Sequence, residues 1–113
     1  MIPTIARGNP LEASCAITDP ATGLKATGLN VSAMVCARRG STAPIDPTLT
    51  ADATERTSDI STTTRPYDVE FTGDVITDKL EAFDYRSVWI VFTSAANGFR
   101  CEQERTVVPG QSG

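Results

Sequence analysis

The chain contains no histidine. That absence removes the usual general base near neutral pH, the Ser-His and Cys-His nucleophile arrangements, and the commonest nitrogen ligand for zinc. Lysine is nearly missing too, with only Lys25 and Lys79 present. Ten basic residues against 14 acidic ones leave a net charge of −4, and the one adjacent basic pair is Arg38-Arg39. Binding by phosphate neutralisation needs clustered cations, so no nucleic-acid partner is expected. No apolar run approaches the length that spans a bilayer, which argues against a membrane partner. The opening "MIPTIARGNP" lacks the apolar stretch of a secretory leader, so assembly in the cytoplasm is the expectation.

Cysteine is scarce and odd in number: Cys15, Cys36 and Cys101, with no C-x-x-C pair. At least one thiol is therefore unpaired, no tetrahedral metal site can be assembled from them, and all three are expected to behave as small buried hydrophobes. Neither "GLKATG" nor "RRGSTAP" carries the Gly-Lys-Ser spacing that wraps a phosphate. With no catalytic constellation in view, the expectation is a protein that is not an enzyme and that uses no cofactor.

What is present is β-type alternation punctuated by Gly and Pro. At 113 residues the chain forms a single domain, burying roughly two-thirds of its unfolded surface. "LEASCAI" sets Leu11, Ala13, Cys15 and Ile17 against Glu12 and Ser14, the pattern of a half-buried strand. "LNVSAMVCA" has Leu29, Val31, Ala33 and Val35 on one side and Met34 and Cys36 on the other, which predicts a strand covered on both faces. Residues 45–66 are rich in Thr, Ser and Asp, with Ile45, Leu49 and Ile60 as anchors, and read as a long connection holding one or two short edge strands. "YDVEFTG" and the continuous apolar "VWIVFTS" give two clearer strands. After "AANG", a hairpin turn, "FRCEQERTVV" returns as a strand whose polar half predicts an edge. "DVITDKLEAF" fits neither period and is read as a helical turn or a strand end. About seven short strands separated by turns predict an all-β, antiparallel immunoglobulin-like β-sandwich, though the Cys-Trp-Cys spacing of antibody domains is absent. The expected organisation is an extended arm over residues 1–10, a sandwich over 11–108 and a tail over 109–113.

Between Tyr67 and Tyr85, six carboxylates fall within nineteen residues. Alternation already places Asp68 and Glu70 on the wet face of a strand. Asp74, Asp78, Glu81 and Asp84 follow in a loop, but their spacing lacks the alternate-position acids and bend glycine of a calcium loop, so no metal ligand is assigned. Asp78 is expected instead to cap a short turn through "DKLE".

Four residues stand out as contact candidates: Ile2 and Ile5 in the arm, and Arg38 and Arg39 at a strand end. The arm either covers the domain's own edge or reaches a neighbour by strand addition. The arginines are either a solvated tip that guards an edge or a docking pair for an acidic partner. Trp89, Tyr67 and Tyr85 would be the aromatic platform of a different kind of protein, a carbohydrate- or cell-surface-binding module.

The order "YDVEFTGDVITDKL", "VWIVFTS", a Gly turn and "ERTVV", together with "ITDPATG" and a Thr/Asp/Pro-rich middle, resembles small immunoglobulin-like accessory virion proteins of tailed bacteriophages. These decorate the capsid or sit at the head-tail junction. The resemblance implies a non-enzymatic structural protein, bound in many copies to capsid or neck proteins of a virion assembled in the host cytoplasm. It transfers no site residue, and the helical segment usual in portal-adjacent adaptors is missing.

Overall fold

The computed structural model describes residues 2–19, 21–57, 64–94 and 98–109. They form an all-β domain with one short helix: β1 (Thr4–Ala6), β2 (Leu11–Ile17), β3 (Ser32–Cys36), β4 (Thr50–Asp52), β5 (Thr54–Glu55), β6 (Arg65–Phe71), α1 (Gly73–Lys79), a 3-10 turn at Glu81–Phe83, β7 (Ser87–Ser94) and β8 (Phe99–Val108). Five strands make one sheet in the order β1-β8-β7-β3-β4, and three make a second in the order β2-β6-β5.

The alternation read from the sequence fixes which side of each strand is dry. Leu11, Ala13, Cys15 and Ile17 on β2, and Tyr67, Val69 and Phe71 on β6, are buried. They join Ala33, Val35, Val88, Ile90, Phe92 and Val107 of the larger sheet in a single apolar core. β7 is central and covered on both faces, since Val91 on its other side is buried as well.

The Thr-rich connection supplies two short strands, and each is an edge. β4 closes the larger sheet and β5 the smaller one, so the chain changes sheets at Ala53. Leu49 is fully buried and Ile45 packs against the core. Ile60, Ala95–Asn97 of the expected hairpin turn, and the end of the expected tail lie outside the described residues.

Three expectations are corrected. β8 is not an edge strand along its whole length, because β1 pairs with it in parallel, Thr4 opposite Thr106 through Ala6 opposite Val108. Its polar half, Phe99 to Arg105, has a described ladder partner only in β7. "DVITDKLEAF" resolves into α1 and the 3-10 turn, with Ile76 and Leu80, one helical turn apart, both fully buried under the sheets. Asp78 caps nothing: α1 starts at Gly73 with Thr72 in the N-cap position, which puts Asp78 in the helix's last turn, exposed. Gly73, the first helical residue, is packed against the arm: a Cβ there would lie 2.8 Å from the backbone oxygen of Gly8, so only glycine fits.

Candidate contact surface

The arm belongs to the fold. Ile5 is 3% exposed and lies in the core, and β1 covers the end of the domain's own β8. Burying such a side chain contributes about 1.5–3 kcal/mol, so in this conformation Ile5 is not available to a partner. The alternation along β1 that turns Ile5 inward leaves Ile2, before the strand, 44% exposed. Arg7, just after β1, donates from Nε and Nη2 to the two carboxylate oxygens of Asp84 at 2.7 and 2.9 Å, which pins the arm to the loop before β7.

Arg38 and Arg39 occupy a tight turn after β3. Ser41 donates its N–H to the Arg38 carbonyl at 3.3 Å, and Gly40 takes φ +79°. Two contacts dock this turn on β8: the Gly40 N–H donates to Glu102 Oε2 at 2.6 Å, and Arg100 Nη2 donates to the Ser41 carbonyl at 2.7 Å. The Gly40 amide, aided by Arg100 and Arg39, holds the Glu102 carboxyl below its ordinary range. Both arginines are exposed, and neither guanidinium forms an ion pair with a described residue. The loop turns back over the outer face of the larger sheet at Cys36, whose thiol is pushed up by burial.

Tyr85 is an exposed aromatic whose placement alternation does not reveal. Phe83 to Arg86 form a type II turn: Asp84 has φ −53° and ψ 131°, Tyr85 has φ +63°, and Arg86 donates its N–H to the Phe83 carbonyl at 2.9 Å. Glycine is usual at the third position of such a turn, yet a tyrosine stands there with 75% of its surface exposed. The strained backbone is held by its neighbours. Tyr85 donates to the Val107 carbonyl, Val107 donates to the Arg86 carbonyl, and Arg7 grips Asp84. No sequence pattern announces a non-glycine residue in the left-handed region.

The three aromatics do not form one platform. Tyr67 is fully buried and donates its hydroxyl to the Ala26 carbonyl at 2.7 Å, and Trp89 is half-buried on the outer face of β7. The acidic stretch also disperses. Asp68 is paired with Arg56, whose guanidinium holds its carboxyl below the usual range, and Asp84 is paired with Arg7. Glu70, Asp74, Asp78 and Glu81 are exposed. Among the described residues no group of three or more acids, cysteines or histidines is placed to hold a metal ion. A shallow cleft of about 760 Å³ lies over the smaller sheet, lined by Glu12, Ser14, Asp52, Arg56, Asp68 and Arg105 among others.

No protein-family model matches the chain, and no curated protein or solved structure shows significant similarity to it. No helix among the described residues is long and apolar enough to cross a membrane.

Proposed function

We propose that the chain is a non-enzymatic structural protein of a tailed-phage virion, an immunoglobulin-like β-sandwich that binds capsid or neck proteins in multiple copies. The observation that carries the reading is the Arg38-Arg39 turn: two exposed guanidinia, neither within ion-pair distance of a described carboxylate, on a loop fixed to β8 by Glu102 and Arg100. A fixed cationic pair on an acidic protein suits a carboxylate-bearing protein surface, which arginine grips bidentately. Tyr85 and Ile2 add exposed apolar contacts. Each contact is small, and repetition by symmetry turns small contacts into firm attachment. The burial of Tyr67 takes it out of an exposed aromatic platform with Trp89 and Tyr85, which favours this reading over a carbohydrate-binding module.

Quantitative mass spectrometry of gradient-banded virions from the source encoding the chain tests this. The expected result is a fixed stoichiometry to the major capsid protein, reduced at least tenfold by the double variant Arg38→Glu/Arg39→Glu while the free variant keeps its unfolding midpoint. Absence of the wild-type chain from intact particles overturns the proposal.

A further inference from the structure

Cys15 and Cys101 lie on opposite sheets and face each other. Cys15 is on the inner side of β2, and Cys101, half-buried on β8, packs against the core cluster that contains Cys15. Cys101 is close enough to Cys15 to help push its thiol up. The strands that carry them are clasped beside the pair, where Gln103 Nε2 donates to the Ser14 carbonyl at 2.8 Å. Cys36 sits apart, on β3 with its neighbours in the Ser41 loop and on the outer side of β8. Two cysteines that face one core from opposite sheets, on strands held by an adjacent hydrogen bond, are candidates for a covalent bridge, whereas the third is a bystander.

We propose that Cys15 and Cys101 are a site of reversible oxidation, closing to an inter-sheet disulfide in the presence of a small-molecule disulfide such as oxidised glutathione. Cys101 is the entry point because it is the more accessible of the two. Its thiolate attacks one glutathione sulfur, a mixed disulfide forms, and the other glutathione leaves as a thiolate that takes up a proton. Cys15 then loses its proton and attacks the Cys101 sulfur, and the second glutathione is released. The two protein thiols together give up two electrons and two protons, and oxidised glutathione becomes two reduced molecules. Burial and the neighbouring Cys101 push the Cys15 thiol up to about 12, so the second step is the slow one and quickens with pH. The bridge would tie β2 to β8 near the two ends of the chain, closing a long loop of the unfolded state.

The test is incubation of the native full chain with oxidised glutathione at pH 8, followed by alkylation in denaturant, intact mass measurement and peptide mapping. The expected product has lost two hydrogens, carries one alkyl group on Cys36, and links the peptides containing Cys15 and Cys101. Its Tm is higher than that of the reduced chain by about 10 °C, and reductant reverses the rise. In the Cys15→Ala variant the glutathione adduct persists on Cys101. Three results overturn the proposal: a glutathione adduct that persists on Cys101 in the wild-type chain, a bridge to Cys36, or three thiols that all remain free.

Discussion

Replacing Tyr85 with glycine should make the protein more stable, although the substitution deletes an entire aromatic side chain. An L-residue in the left-handed region costs about 1–2 kcal/mol, and Tyr85 stands at φ +63°. Glycine escapes that cost but loses more backbone freedom on folding, which takes back about 0.5–1 kcal/mol. With the side chain 75% exposed, little packing is lost. The expected net gain is about 0.5–1 kcal/mol, a rise in Tm of about 2–5 °C. Tyr85→Ala is the control: it removes the ring but keeps the Cβ that causes the strain, and should stay within about 0.5 kcal/mol of wild type. Urea unfolding followed through the emission of Trp89, the single tryptophan, measures all three proteins. If Tyr85→Gly is no more stable than Tyr85→Ala, the strain argument is refuted. If it is more stable yet attaches less well to particles, the tyrosine is kept for contact at a cost to the fold.

The two arm isoleucines should separate cleanly: Ile5→Ala costs about 2–5 kcal/mol of unfolding free energy in urea titration, whereas Ile2→Ala changes it by less than about 0.5 kcal/mol. Gly73→Ala, whose new Cβ meets backbone at Gly8, should lower stability by about 1–3 kcal/mol despite alanine's better helix propensity, as read by thermal unfolding. Glu12 and Glu70 stand directly opposite each other on β2 and β6, so Glu70→Lys should stabilise by about 0.2–1 kcal/mol, a gain that shrinks on titration with salt. Asp46, Asp68 and Glu102 have folded-state pKa values below their ordinary ones, held down by the Thr48 amide, by Arg56 and by the Gly40 amide respectively. Depressed carboxyls stabilise the fold fully above their unfolded values, near about pH 4, and that share is lost as pH falls through the folded values. The urea midpoint should therefore fall below about pH 4, and the triple variant Asp46→Asn/Asp68→Asn/Glu102→Gln should flatten the slope.

Period-two patterning made much of the core legible. The inward residues of β2, β6 and β7 were readable because each strand has one wet face or an unbroken apolar run. The two short strands of the Thr-rich connection were readable as edges because little in that segment can be buried on both sides. The partner of β8 was not legible. A three-residue strand such as Thr4–Ala6 shows one inward residue, Ile5, and one residue carries no period. Helix α1 was readable only as a helical turn or a strand end, because its dry face amounts to Ile76 and Leu80 alone. The candidate contact surface was half legible. Arg38 and Arg39 stood out as the single cationic pair, but their anchorage on Glu102 and the exposure of Tyr85 arise from tertiary geometry. That Cys15 and Cys101 face the same core was hidden for the same reason, since spacing along a chain says nothing about which inner faces meet.

The parallel pairing of β1 with β8 also has a mechanical meaning. Because the two strands run the same way, a pull on the chain before Thr4 and after Val108 loads their ladder along the strand axis and in opposite senses. The hydrogen bonds cross that axis, so they must yield together in shear instead of parting one after another as in an unzipped hairpin. The Arg7–Asp84 pair sits at the same end and adds a lateral pin. A domain tethered through these two strands would carry tension through its stiffest seam, with β3, β4 and the smaller sheet unloaded until that seam gives way.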